Sequence, residues 1–121
     1  MPIHHHQESR TQSACVRWFR LQYPEYDKLL ISVPNGVATS ASQGRILKAE
    51  GMVAGASDLL LLLPNRNHPY LCIEMKTDKG CQSPAQKAWQ QAVEDKALAR
   101  YAIVRSVEEF IELITDYLNN R

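Results

Sequence analysis

The middle of the chain contains two apolar runs of strand length, Asp58-Leu59-Leu60-Leu61-Leu62-Leu63 and Tyr70-Leu71-Cys72-Ile73-Glu74-Met75-Lys76. They are joined by Pro64-Asn65-Arg66-Asn67-His68-Pro69, a segment rich in turn-forming residues. Two such runs with a turn between them predict an antiparallel hairpin. We expect Leu63 and Tyr70 to be the pair that closes it.

Three ionisable residues interrupt these apolar strands. Asp58 opens the first strand, and Glu74 and Lys76 stand near the end of the second. Side chains alternate between the two faces of a strand, so Glu74 and Lys76 share a face. Counting pairs back from the turn places Asp58 opposite about Met75, within a residue or so. The three charges are therefore expected to converge at one end of the hairpin.

This convergence favours metal-assisted chemistry on phosphodiesters. Two neighbouring carboxylates repel each other unless a cation neutralises them, and hard oxygen ligands suit Mg²⁺ or Mn²⁺. A nearby lysine can position an attacking water or stabilise charge on a phosphate. The alternative is a structural salt pair at a strand edge, with Asp58 as a cap, because the triplet E-x-K is common.

The first helix is predicted from about Glu8 to Gln22, because Cys15 and Phe19 recur at helical spacing before a proline. Glu8 and Gln12 continue this apolar stripe toward the amino end of the helix. Polar residues that extend a buried stripe suggest that this end faces a polar site. The alternative is a frayed, solvated first turn.

The remaining elements complete a mixed sheet flanked by helices, in the order α-β-(α)-β-β-α-β-α. The last strand–helix–strand step should be a parallel crossover. Both later helices begin with a capping box, which indicates a well-defined start. The predicted elements are a strand at Leu29–Val33, a short helix at Ser40–Glu50, a helix from Ser83-Pro84-Ala85-Gln86, a strand at Tyr101–Val104 and a helix after Ser106.

Length and composition indicate one domain spanning residues 1–121, with 45% apolar and 22% charged residues. The formal net charge of +1 means that overall basicity does not indicate a nucleic-acid partner. If DNA is bound, the basic residues must be gathered on one face.

The chain is expected to be intracellular and cytoplasmic. Its three cysteines, Cys15, Cys72 and Cys81, are odd in number and widely spaced, which favours reduced thiols. The amino terminus lacks the apolar segment of a signal peptide, and no apolar run is long enough to cross a membrane.

Several motifs together are more specific than E-x-K. The chain resembles the virus-type replication-repair nuclease (VRR-NUC) domain, a branch of the PD-(D/E)XK nucleases, over most of its length. The stretches that carry the resemblance are Val16-Arg17-Trp18-Phe19, Tyr23-Pro24, Pro34-Asn35-Gly36, Leu47-Lys48-Ala49-Glu50-Gly51, Gly55-Ala56-Ser57-Asp58-Leu59, Ile73-Glu74-Met75-Lys76-Thr77, Lys79-Gly80, Ser83-Pro84-Ala85-Gln86, Trp89 and the closing strand and helix, Tyr101 to Leu118.

The resemblance implies an α/β fold with a restriction-endonuclease-like αβββαβ core that hydrolyses DNA with Mg²⁺ or Mn²⁺. Family members act on branched or structured DNA, and short stand-alone versions look like homodimeric Holliday-junction resolvases. Carried over residue by residue, the metal ligands would be Asp58, Glu74, the carbonyl of Met75 and Glu8, while Lys76 would position the water and Gln86 would match a glutamine often found near the site.

Two positions depart from the family pattern. Ser57-Asp58 replaces the usual Pro-Asp, which loosens the turn but keeps the aspartate. Cys81-Gln82 replaces a more usual basic-apolar pair, which removes one phosphate contact. Gln86 also has a competing role in a capping box, so cap and site both stay open for it.

Asn35, Arg45, Lys48 and Lys79 are candidate phosphate contacts, but for each one taken singly a solvated surface residue is the favoured interpretation. The leading functional hypothesis is a homodimeric, structure-selective DNA endonuclease acting on junctions. The alternatives are a less selective nickase or flap endonuclease, and a catalytically silent junction-binding module. A plain α/β domain with a salt pair leaves the motif matches unexplained.

Overall fold

Four strands form one mixed sheet with helices packed on both faces. The computed structural model describes residues 3–34 and 40–121, with side chains from Gln7 onward. Its elements are α1 (Ile3–Gln22), a 3₁₀ helix (Pro24–Leu29), β1 (Leu30–Ser32), α2 (Ala41–Ala49), β2 (Leu59–Leu61), β3 (Leu71–Met75), α3 (Pro84–Ala97), β4 (Arg100–Val104) and α4 (Val107–Asn119).

The sheet has the strand order β1-β2-β3-β4. The strand pairs β1–β2 and β2–β3 are antiparallel, whereas β3 and β4 are parallel and connected through α3. The predicted α/β class, the hairpin and the parallel crossover are therefore confirmed. The candidate DNA contact Asn35 lies outside the described residues.

The register of the hairpin differs by one residue from the expected pairing. Leu61 lies opposite Leu71 and Leu59 opposite Ile73, so continuing the ladder places Asp58 opposite Glu74. The expected closing pair, Leu63 with Tyr70, does not form. Opposite residues of an antiparallel pair point to the same face, so a one-residue slip would turn buried leucines of β2 away from their core.

Two apolar cores lie on the two faces of the sheet. The larger core contains Leu61, Leu71 and Ile73 together with α1 and α4, which contribute Phe19 and Phe110. The smaller core lies under α3, where Cys72 and Tyr101 are buried and Trp89 packs against them. Alternation along β3 therefore places Glu74 and Lys76 on the same face as α3.

The helices begin and end where local chemistry requires. α1 starts at Ile3, five residues before the predicted start, and ends before Pro24, which opens the 3₁₀ helix. That 3₁₀ helix was not predicted, since Pro24 indicated only an end; proline also suits the first turn of a new helix because it lacks an N–H group.

No helix among the described residues is long and apolar enough to cross a bilayer.

The loop before Asp58 packs directly on the first turn of α3. Gly55 has φ +87°, and a Cβ atom there would lie 2.3 Å from the carbonyl oxygen of Ala85. Backbone therefore touches backbone at this point, and only glycine leaves room for the contact. This packing fixes the start of α3 relative to the loop that leads into Asp58.

Substituting alanine at Gly55 is expected to destabilise the protein more than the same change at Gly51. Both glycines have positive φ, so both variants carry a backbone penalty of about 1 kcal/mol. Nothing lies within 4 Å of a Cβ at Gly51. The backbone clash at Gly55 should add about 1–3 kcal/mol. Urea unfolding of Gly55→Ala and Gly51→Ala measures the difference, and equal losses would contradict the close packing.

Candidate functional site

Asp58 is held against β3 by hydrogen bonds on both sides. Its backbone carbonyl accepts a hydrogen bond from the N–H of Val33 at 2.9 Å, which continues the β1–β2 ladder. Its carboxylate Oδ2 accepts one from the backbone N–H of Met75 at 2.7 Å. The N–H and C=O of one strand residue point the same way, so the carbonyl of Met75 also faces the Asp58 side.

Glu74 is buried beside Asp58 without an ion-pair partner among the described residues. Its side chain is 2% exposed. The one ion pair found in the described part of the chain is Arg100 with Asp116, far from Glu74 in the sequence. The pKa of Glu74 is raised to about 9, first by burial and then by the adjacent Asp58, while the charge of Lys76 opposes the rise. A second positive charge near this carboxylate would therefore be favourable.

Two neutral side chains donate hydrogen bonds to the Glu74 carboxylate. The hydroxyl of Tyr101 donates to Oε1 and the amide Nε2 of Gln86 donates to Oε2, both at 3.4 Å. Burial raises the pKa of Tyr101, so the hydroxyl keeps its proton at neutral pH. Each carboxylate oxygen of Glu74 is thus held by one donor.

The hydroxyl of Tyr101 is itself oriented by Gln82. Gln82 Nε2 donates to the Tyr101 oxygen at 3.2 Å and also to Gln90 Oε1 at 2.8 Å. Because the Tyr101 oxygen accepts from Gln82, its own proton is free to point toward Glu74. Gln82 of the Cys81-Gln82 pair is therefore a structural hydrogen-bond donor.

Gln86 serves both as a helix cap and as a neighbour of Glu74. Its Oε1 accepts from the backbone N–H of Ser83 at 2.9 Å, while the Ser83 hydroxyl accepts from the backbone N–H of Gln86 at 3.2 Å. This capping box occupies the oxygen of the amide and leaves its nitrogen facing Glu74. The two roles that the sequence left open are therefore compatible.

One cleft of about 450 Å³ brings the predicted site residues together. Glu8 and Gln12 enter it from the amino-terminal half of α1, as their position in the apolar stripe predicted. Glu8 does not form a three-carboxylate cluster with the other two acids, and no group of three or more His, Cys, Asp or Glu side chains with metal-site geometry occurs within the described residues. The predicted site residues that line this cleft are Glu8, Asp58, Glu74, Met75, Lys76 and Gln86.

Lys76 leaves β3 at the mouth of this cleft. Its backbone N–H donates to the carbonyl of Val104 at 3.0 Å, so β4 fixes the position of its Cα. The loop that follows is held by Arg105, whose guanidinium donates to the carbonyls of Thr77 at 2.6 Å, Gly80 at 2.8 Å and Asp78 at 3.3 Å. The guanidinium of Arg105 thus holds the turn beyond Lys76 in place.

Sequence reasoning missed Tyr101, Gln82 and Arg105. Alternation could have placed Tyr101 on one face of its strand, but the parallel register Cys72↔Tyr101 that brings it to Glu74 is set by the fold. Gln82 and Arg105 carry no sequence signal, because a lone polar residue beside a helix start is common.

The other candidate DNA contacts lie away from the cleft. Arg45 and Lys48 are exposed on α2, and Lys79 is exposed in the loop held by Arg105. None of the three lines the cleft that contains Glu74. They remain predictions about the surface around the site.

The donor atoms in this cleft fit a hard divalent cation. Two carboxylates lie side by side, one of them is buried with a raised pKa, and the Met75 carbonyl faces the same space. Oxygen ligands of this type are those that Mg²⁺ and Mn²⁺ prefer. The residues present are therefore compatible with a metal-dependent centre.

A match to the VRR-NUC domain implies a nuclease domain of the PD-(D/E)XK type. The chain belongs to the VRR-NUC family, because the profile of the VRR-NUC domain matches residues 2–108. A solved structure described as a VRR_NUC domain protein has the same fold, with a TM-score of 0.81 and 19% sequence identity over 94% of this chain and 89% of that chain. No curated protein sequence matches the chain significantly.

Glu74→Gln is expected to flatten the pH dependence of folding when divalent cations are removed with a chelator. The pKa of Glu74 is about 9 in the folded protein against an ordinary value of 4.5. Folding then takes up a proton between these values, so the wild type loses stability as pH rises through this range. The slope should approach about 1.4 kcal/mol per pH unit. Urea unfolding in EDTA at several pH values measures it.

The matched control is Glu112→Gln, which removes an exposed carboxylate from α4. This variant should keep the wild-type pH profile. If the free energies of unfolding of wild type and Glu74→Gln change in parallel between mildly acidic and alkaline pH, the Glu74 carboxyl is not held in its protonated form by the fold.

Proposed function

We propose that this protein is a divalent-metal-dependent endonuclease that hydrolyses phosphodiester bonds in branched DNA, such as four-way junctions. The observation that carries the proposal is the register of β2 and β3, which puts Asp58 opposite Glu74 with Lys76 on the same face. Family membership supports nuclease chemistry on DNA. The charge arrangement supports the same chemistry independently.

Asp58 and Glu74 would hold Mg²⁺ or Mn²⁺, with the carbonyl of Met75 as a further ligand, while Glu8 lines the same cleft. When bound, such an ion supplies a water of lowered pKa and offsets negative charge that develops on the phosphate. The raised pKa of Glu74 suits this role, since a bound cation favours the ionised carboxylate.

Lys76 would orient the attacking water and stabilise charge on the phosphate. It stands two residues beyond Glu74 on the same face of the strand, so its ammonium group can face the same phosphate. Gln86 and Tyr101 would keep the Glu74 carboxylate in one orientation through the hydrogen bonds that each donates. Ligands that are oriented by such partners lose less freedom when a cation binds.

Selectivity for junctions and a homodimeric assembly belong together in this proposal. A four-way junction presents two symmetry-related strands, and two cuts need two related active sites. The described part of one chain contains one cleft with the paired carboxylates. A symmetric pair of subunits would supply the second.

Lys76→Ala and Glu74→Ala are expected to abolish cleavage of a labelled four-way junction while the junction is still bound. Losing a group that stabilises the transition state costs about 10²–10³-fold in rate. Lys96→Ala, which removes an exposed lysine of α3 that does not line the cleft, is the control and should retain most of the activity.

Cleavage is compared on a junction and on matched linear duplex, with Mg²⁺, Mn²⁺ or EDTA. Equal cutting of both substrates would replace junction selectivity with a general nicking activity. A folded wild type that binds the junction but cuts neither substrate would point to a silent binding module.

The variant Gln86→Glu is expected to keep the helix-capping role of residue 86 while removing its hydrogen bond to Glu74. Glutamate can replace glutamine in a capping box, so the start of α3 should be retained, whereas Gln86→Ala loses about 1 kcal/mol of stability. The glutamate cannot donate to Glu74, so cleavage should fall about 10–100-fold in both variants. Stability and cleavage rates are measured together, and full activity in Gln86→Glu would leave Gln86 as a cap alone.

A further inference from the structure

A second cleft, of about 460 Å³, adjoins the candidate active site along α1. We call it the α1 groove. It shares Gln12, Ser13 and Ser32 with the cleft that contains Glu74, so the two form one continuous depression. The side chains that matter in the α1 groove are Gln12, Ser13, Arg17, Arg20, Leu30 and Ser32.

Arg17 and Arg20 give the α1 groove a positive wall. They are one helical turn apart, both are exposed, and no acidic residue lines this groove in the described part of the chain. Within the described residues neither guanidinium makes a hydrogen bond or an ion pair. Both donor groups are therefore available to a ligand, and a guanidinium fits a phosphate well.

Four other arginines of the fold are occupied. Arg105 is bound to three loop carbonyls, Arg100 pairs with Asp116, Arg66 donates to the carbonyl of Arg121, and Arg121 donates to the hydroxyl of Tyr26. The arginines of α1 thus differ from these structural arginines. The two free arginines beside the site create a local positive potential that the net charge of +1 conceals.

We propose that the α1 groove holds the phosphate backbone of the DNA arm next to the cleaved bond, with Arg17 and Arg20 each contacting a phosphate. The inference rests on the proposed function and adds to it a path for the substrate. Glu8 and Arg20 are separated along α1 by about 18 Å at 1.5 Å per residue. This length corresponds to about five base-pair steps of 3.4 Å.

The test compares Arg17→Ala/Arg20→Ala with a matched double variant, Lys87→Ala/Lys96→Ala. Both remove two exposed cations from a helix, but the lysines of α3 line neither cleft. Binding of a fluorescent four-way junction is measured in EDTA over a range of salt concentrations. Loss of two phosphate contacts should reduce the salt-dependence slope by about 2, and the lysine variant should change it little.

Arm length gives a second readout that a general loss of charge would not reproduce. Wild type should lose affinity when the arms are shortened below about five base pairs, because the arginines then have no phosphate to contact. The arginine variant should bind short and long arms alike. An unchanged slope, or an equal response to arm length in both proteins, would overturn the proposal.

Light scattering of the arginine variant tests the competing occupant, a second copy of this chain. A change from dimer to monomer would assign the groove to a subunit interface and overturn the proposal. Cleavage of the junction keeps the two hypotheses apart. If wild type cuts the junction and the arginine variant keeps the wild-type slope, only the groove proposal is rejected. If the arginine variant shows the reduced slope but wild type never cuts, only the nuclease function is rejected.

Discussion

The hydrogen bond from the backbone N–H of Met75 to the Asp58 carboxylate fixes the relation between the two acidic residues. It forms with Asp58 opposite Glu74 in the β2–β3 register. That register is held by leucines and isoleucine packed on α1 and α4, so burial of apolar surface on one face of the sheet determines which charges meet on the other. Packing between apolar side chains therefore keeps Glu74 next to Asp58, although the electrostatics of that position are unfavourable.

The start of α3 is the second constraint on the site. The backbone of Gly55 touches the backbone of Ala85, and the capping box between Ser83 and Gln86 directs the Gln86 amide toward Glu74. The capping box therefore stabilises the start of α3 and also orients the Glu74 carboxylate. Tyr101 does the same from β4 and is oriented by Gln82, so three elements converge on one buried side chain.

The arginines illustrate how a nearly neutral chain can present a positive surface where a polyanion would bind. Four of them are bound to carbonyls, a carboxylate or a hydroxyl inside the fold. Arg17 and Arg20 are exposed beside the cleft instead. Counting charges along the chain cannot separate these two groups, because their difference lies in which partners the fold places within hydrogen-bond distance.

Alternation, turn residues and capping patterns in the sequence were enough to predict the mixed α/β sheet, the hairpin, the parallel crossover and the shared face of Glu74 and Lys76. They also predicted that Glu8 and Gln12 would face a polar site, because helical spacing extends the Cys15–Phe19 stripe. These features depend on local periodicity, which a sequence contains in full. The one-residue register of β2 could not be read, since five consecutive leucines do not reveal which of them point inward. The contacts of Tyr101, Gln82 and Arg105, and the groove beside Arg17, depend on neighbours distant in the chain, so only the tertiary structure decided them.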